Sequence, residues 1–141
     1  MAFDVQIAVD CAEPHVLADW WAEALRWQVE AQDEAFIRRM IDAGHATEDQ
    51  TTHHRGALVW REGAAITSPH TGRPRVLFQQ VPEPKTVKNR LHFDVRVGED
   101  RQEAEVARLK GLGATELWRG TQGPHSWVTM ADPEGNEFCV A

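Results

Sequence analysis

The order of elements in this chain of 141 residues begins again after a proline-containing stretch at residues 82–89, and that recurrence limits its fold more than any single motif. Before the break, Phe3 to Val9 alternates apolar with polar or small residues, the mark of a strand with one buried face. Leu17, Trp20, Trp21, Ala24 and Leu25 then follow a helical spacing, which predicts an amphipathic helix over 14–26 with Pro14 tolerated in its first turn. Trp27 to Glu30 returns as a short strand. After the break, Leu91 to Val97 is an expected strand, residues 100–112 an expected helix with Val106 and Leu109 on its apolar face, and Gly111 and Gly113 its stop. Three strands follow: Thr115 to Trp118, Ser126 to Met130 and Glu137 to Val140. Ile7 to Val29 spans 22 positions and Phe93 to Glu116 spans 23, so the two halves are paced alike. This predicts a duplicated βαβββ unit in an α+β chain, with modules at 1–84 and 88–141 inside one domain of 1–141.

The first module carries extra residues at about 32–55. Phe36, Ile37, Met40 and Ile41 give a helical stripe over 33–43, stopped by Gly44, and His45 to Arg55 lacks an apolar period and reads as a polar loop. Adjacent side chains on an extended chain point opposite ways, so His53 and His54 are expected to be solvated rather than metal ligands. Ala57 to Trp60 and Ala64 to Thr67 flank Arg61-Glu62-Gly63, which suggests a hairpin, and Arg75 to Val81 is a further strand.

A net charge of −7 leaves no basic surface to neutralise phosphates, which argues against nucleic acid or an anionic membrane as partner and favours a small molecule, with a cation suited to the charge. The N-terminus lacks a basic region followed by an apolar run, and no stretch of eighteen apolar residues occurs; the expected compartment is the cytoplasm. Cys11 and Cys139 are too few and too far apart for a disulfide framework or zinc-ribbon pattern.

Two segments carry the candidate chemistry. In Leu91-His92-Phe93-Asp94-Val95, His92 and Asp94 share one face of a strand. In Asp132-Pro133-Glu134-Gly135-Asn136-Glu137-Phe138-Cys139-Val140, a turn feeds a strand with Glu137 and Cys139 on one face and Phe138 and Val140 on the other. With Leu112-Gly113-Ala114-Thr115 and the run Arg75 to Lys85, these segments resemble the vicinal-oxygen-chelate superfamily, and most of all the glyoxalase-like domains common in actinobacterial genomes. The resemblance implies two βαβββ modules forming paired half-cups of mixed, mainly antiparallel sheet around a site.

Better-known members of that superfamily bind one divalent metal through His and Glu on the first and last strands of each module. His92 matches the His position of the second module, whereas Cys139 stands where the last-strand Glu is expected, with Glu137 two residues earlier on the same face. The first module offers Asp4 and Gln6 where a His is expected, and Gln79 near its expected Glu. Two outcomes follow for a cofactor: none, or a single divalent ion on His92, Glu137 and Asp4. His92 and Glu137 are the candidate acid/base residues, with Glu137 alternatively paired to an arginine such as Arg90. Gln6, Trp60, Phe78, Gln79, Asp94, Trp127 and Cys139 are candidate ligand contacts, Trp60, Phe78, Trp118 and Trp127 being aromatics on expected strands. The resemblance therefore implies a small-molecule binding protein of the glyoxalase/bleomycin-resistance type, its ligand cationic or aromatic, or else a metal-dependent lyase, isomerase or dioxygenase. It also implies a homodimer, since cups of this superfamily are often completed by a second subunit.

Overall fold

A computed structural model describes residues 1–141, which form two compact units, Met1–Glu83 and Pro84–Ala141. The first unit contains β1 (Ile7–Cys11), α1 (Pro14–Leu25), β2 (Gln28–Val29), α2 (Glu34–Asp42), a 3-10 turn (Glu48–Gln50), β3 (Thr51–His54), β4 (Ala57–Trp60), β5 (Gly63–Thr67) and β6 (Val76–Gln80). The second contains β7 (Asp94–Val95), a 3-10 turn (Glu99–Arg101), α3 (Gln102–Gly111), β8 (Thr115–Gln122), β9 (His125–Ala131) and β10 (Glu137–Val140).

The main sheet of the first unit has the order β1-β6-β5-β2 and that of the second β7-β10-β9-β8. With α2, β3 and β4 set aside, each unit is strand, helix and three strands. In each the first strand lies parallel to the fourth, and the other pairs are antiparallel. The duplication expected from the sequence is thus present in the backbone. α1 packs on β5 and β6, and α3 on β8 and β10. Phe78 on β6 and Phe138 on β10 occupy the same place in the two sheets and are fully buried, with Val76 and Ile66 beside the former and Val128, Met130 and Val140 beside the latter. Burying each such side chain contributes about 1.5–3 kcal/mol.

The first unit departs from expectation in several places. Residues 51–54, expected in a loop, form β3, because Arg55 (φ 51°) and Gly56 (φ 81°) supply the two left-handed positions of a tight hairpin turn into β4. β4 therefore pairs with β3 and not, as Arg61-Glu62-Gly63 suggested, with β5, which lies between β2 and β6. Leu58 and Val59 are both buried, consistent with a strand covered on two faces, one of them by α2. Gln32 fixes the junction: its amide oxygen accepts from the Trp60 backbone N–H at 2.8 Å and its amide nitrogen donates to the Gly63 carbonyl at 2.8 Å. The insertion accordingly reaches Trp60 rather than ending near 55, and Trp60 is not on the main sheet.

β1 begins at Ile7, so Asp4 and Gln6 precede the strand instead of lying on it. In the second unit regular pairing begins at Asp94, and His92 stands two residues upstream. The Phe93 carbonyl still accepts from the Cys139 N–H at 2.9 Å, which keeps this stretch beside β10.

Candidate functional site

The turn into β10 is built around Asp132, which is buried. Its Oδ1 accepts from the backbone N–H of Glu134 and of Asn136, both at 2.9 Å, while its carbonyl accepts from Gly135 N–H at 2.9 Å. Gly135 takes φ 88°, a conformation that a side chain at this position would resist. The turn thereby fixes the phase of β10. Phe138 and Val140 face α3, and Glu137 and Cys139 face away from it.

That second face carries a continuous row across the sheet. Asp94 is opposite Cys139, Cys139 opposite Thr129, and Thr129 opposite Trp118. Thr129 Oγ1 lies 3.4 Å from Cys139 Sγ. Trp127, one step further along β9, is opposite Gly120, and a Cβ at Gly120 would come within 2.8 Å of the indole nitrogen. The ring thus lies against the bare backbone of β8, a close approach that only glycine allows. Asp94, Cys139, Thr129, Trp118 and Trp127, with His92, Lys88 and Glu137, line a cavity of about 330 Å³, within the range of small-molecule sites.

His92 and Asp94 form the polar end of the cavity, with Nδ1 and Oδ1 3.1 Å apart and both side chains open to solvent. One ligand atom from each of His92, Asp94 and Cys139 lies within 4.8 Å of the others, so these three could hold a metal ion. Glu137 is differently placed. Its Oε1 is 3.1 Å from Lys85 Nζ and its Oε2 accepts from the Asn89 backbone N–H at 2.9 Å. Burial works against the charged form, but the N–H groups of Asn89 and of Glu137 itself, together with Lys85, outweigh it and hold the carboxyl below its ordinary range. Asn89 also donates through its side chain to Asn136 Oδ1 at 3.0 Å, so Glu137 and Asn136 together clasp residues 85–89.

The sequence matches the Glyoxalase-like domain family over residues 6–141. The chain belongs to that family. Solved structures similar to this glyoxalase-like domain come from the vicinal-oxygen-chelate superfamily. The fosfomycin resistance protein FosX from Mesorhizobium loti has 8% identity and a TM-score of 0.62 over 99% of this chain and 90% of its own. A glyoxalase/bleomycin resistance protein/dioxygenase family enzyme from Burkholderia phytofirmans has 12% identity and a TM-score of 0.61 over 96% and 94%. A point mutant of FosX from Listeria monocytogenes, complexed with Mn(II) and 1S,2S-dihydroxypropylphosphonic acid, has 7% identity and a TM-score of 0.62 over 99% and 89%. At such identities the likeness concerns the fold. No curated protein matches the sequence. No helix is long and apolar enough to cross a membrane.

The expected site residues of this glyoxalase-like domain divide between the units. Asp94, Trp127 and Cys139 line the second unit's cavity beside His92 and Glu137. The metal-capable group contains His92 but neither Glu137, whose oxygens are bonded to Lys85 and Asn89, nor Asp4, which is exposed ahead of β1. The acid/base role expected of Glu137 is also at odds with those bonds, and its cation is Lys85, not Arg90. Phe78 is fully buried, which makes it core and not a ligand contact.

Gln6 accepts from Arg75 Nη1 at 2.8 Å, and Arg75 in turn makes a two-pronged pair with Glu30 at 2.8 and 3.0 Å. Trp60 and Gln79 line a wider opening of about 850 Å³ in the first unit, together with Gln32, Phe36 and Arg75. His53 is exposed as expected, whereas His54 is half-buried: its Nε2 lies 2.6 Å from Asp19 on α1, and its ring is 5.2 Å from that of His15.

Thr129, Gly120, Lys85 and Asn89 are site or near-site residues that sequence reasoning passed over. For Gly120 a signal existed. A two-residue turn at Gly123-Pro124 places Gln122 opposite His125, and counting back along the hairpin sets Gly120 against Trp127 and, past it, Trp118 against Thr129.

Proposed function

We propose that this glyoxalase-like domain binds a small aromatic or cationic molecule in the cavity of its second unit. The observation that carries the reading is the Trp127 indole laid on the sheet at Gly120. A large aromatic side chain has been given backbone contact on the cavity face, where it adds nothing to the core around Phe138. Trp118, nearly half exposed, supplies a second ring at the same cavity. Such rings offer area for stacking and a favourable face for a cation, and the Asp94 carboxylate at the far end suits the same charge. His92 Nδ1 lies 3.1 Å from the Asp94 carboxylate, and the imidazole is the group to take or give a proton if the bound molecule is turned over, because Glu137 is committed to Lys85 and Asn89.

Titration of the protein with a panel of aromatic ammonium compounds, followed by tryptophan emission and thermal unfolding, tests this. A ligand at one hundred times its Kd raises stability by about 2.7 kcal/mol. Trp127→Ala, checked for fold by circular dichroism, is expected to lose both responses. A panel that leaves the wild-type protein unmoved, or a response undiminished in Trp127→Ala, overturns the reading.

The convergence of His92, Asp94 and Cys139 favours a second reading, a metal-dependent member of the superfamily. The three donors plus one open position match the ligand count of a catalytic site, and a divalent ion held there would polarise oxygens of a bound molecule. Metal content after loading and gel filtration checks it: about one ion per chain is expected, and none sinks it.

A further inference from the structure

We infer that the cavity of the second unit selects a zwitterionic aromatic molecule of the amino-acid class, with Lys88 as the residue that takes its carboxylate. The inference rests on the aromatic-ligand reading and deepens it, since that reading places the rings and a cation but gives an anion no partner.

The balance of charge carries it. The charged side chains lining the cavity are Lys88, Asp94 and Glu137, with His92 beside them. Glu137 is matched by Lys85 at 3.1 Å. Asp94 meets His92 through Oδ1, which leaves Oδ2 without a side-chain partner. Lys88 pairs with no carboxylate, and its Nζ bonds the carbonyl of the next residue, Asn89, at 3.3 Å. One cation and one anion are thus left for a ligand. A molecule that carries one of each satisfies both when water is displaced, whereas a simple ammonium compound leaves the lysine desolvated and unpaired. The anion is a carboxylate because a phosphate group carries nearly two negative charges at neutral pH, more than one lysine balances.

Lys88 reaches the cavity because residues 85–89 are clasped to the start of β10. The Asn89 backbone N–H donates to Glu137 Oε2 at 2.9 Å, its side chain donates to Asn136 Oδ1 at 3.0 Å, and Lys85 holds Glu137 Oε1. The stretch is neither helix nor strand, so these bonds set its course. Glu137 is accordingly a positioning residue, acting through the backbone that carries Lys88. The spacing suits the ligand. Asn89 is anchored at Glu137, and Asp94 is opposite Cys139 two residues further along β10, an offset of about 6.6 Å. An ammonium and a carboxylate on one carbon, each hydrogen-bonded at about 2.8 Å, bridge a gap of that size. Trp118 and Trp127 line the same cavity and offer their faces to the ring.

Three probes with the same ring test this on the full chain by calorimetry: L-phenylalanine, phenethylammonium, which lacks the carboxylate, and 3-phenylpropionate, which lacks the ammonium. L-Phenylalanine is expected to bind at least about 10-fold more tightly than either, the scale of one charge-assisted hydrogen bond. Lys88→Gln brings it down to the level of phenethylammonium, Lys88→Arg retains the preference, and Glu137→Gln narrows it by loosening the clasp. Circular dichroism checks the fold, and the ratio of two affinities on one protein does not respond to a general loss of stability. Phenethylammonium or 3-phenylpropionate binding as tightly as L-phenylalanine, or a preference undiminished in Lys88→Gln, overturns this inference and leaves the aromatic-ligand reading standing. No response to these probes or to the wider ammonium panel overturns both.

Discussion

The two modules share a strand order and differ in what the matching row of each sheet presents. In the first, Asp10 on β1 is opposite Gln79 on β6, which is opposite Gly63 on β5; the Gln79 amide donates to Asp10 at 3.3 Å. In the second, Asp94 on β7 is opposite Cys139 on β10, which is opposite Thr129 on β9. The first-strand aspartate is common to both. In the first module that aspartate meets an amide, whereas in the second it meets a thiol beside an imidazole and a hydroxyl. The backbone order is kept in both copies, while the fourth and third strands differ in the side chains that they present at this row.

The largest expected effect tests the part of the comparison that should be symmetrical. Phe78→Ala and Phe138→Ala remove fully buried rings from equivalent strands, and each is expected to cost about 3–5 kcal/mol in chemical denaturation. A cost confined to one of them breaks the structural equivalence of the modules.

The next separates them. Gly120→Ala puts a methyl group 2.8 Å from the Trp127 indole nitrogen and closer still to its ring carbons, whereas Gly63→Ala meets its nearest atoms at 3.4 and 3.5 Å, which is ordinary contact. Gly120→Ala is expected to destabilise by about 1–3 kcal/mol and to shift tryptophan emission. Gly63→Ala should fall within about 0.5 kcal/mol of the wild type, and a similar effect at both sites means that the indole is not seated as described.

Smaller still is the acid limb of stability. The carboxyl of Glu137 is held below its ordinary range in the folded state, so it adds stability above the unfolded-state pKa, and this is lost as pH falls through the folded-state value. Glu137→Gln is expected to cost roughly 1 kcal/mol at neutral pH, the pair being partly open to water, and to flatten the acid dependence measured by thermal unfolding. The smallest effect belongs to Arg75→Ala in the first module. Its pair with Glu30 lies in the open at the surface, and a change of about 0.5 kcal/mol or less is expected. A larger loss there than at Glu137 reverses the ranking of the two ion pairs.

Much of this was legible in the sequence. Helical spacing at Leu17, Trp21 and Val106, alternation at Glu137 to Val140 and the restart after residues 82–89 pointed to the duplicated α+β fold, because these periods are written into consecutive residues. The insertion was harder to read. β3 is Thr-Thr-His-His, without an apolar alternation, and forms because Arg55 and Gly56 accept left-handed backbone and because β4 offers an edge. Asp10 was overlooked because the alternation of Phe3 to Val9 set the strand four residues too early. β1 begins where β6 first offers partners, at the register of Ile7 with Val76.

By itself the sequence determined which residues share a face, including the opposition of Glu137 and Cys139 to Phe138 and Val140, since the two-residue period of a strand is local. Only the tertiary structure decided what those faces meet. Strand pairing set Thr129 beside Cys139, an unpatterned stretch brought Lys85 and Asn89 onto Glu137, and the missing Cβ of Gly120 let Trp127 lie against the sheet. Each joins residues between 7 and 52 positions apart, and no periodicity along a chain records which distant backbone will supply a neighbour.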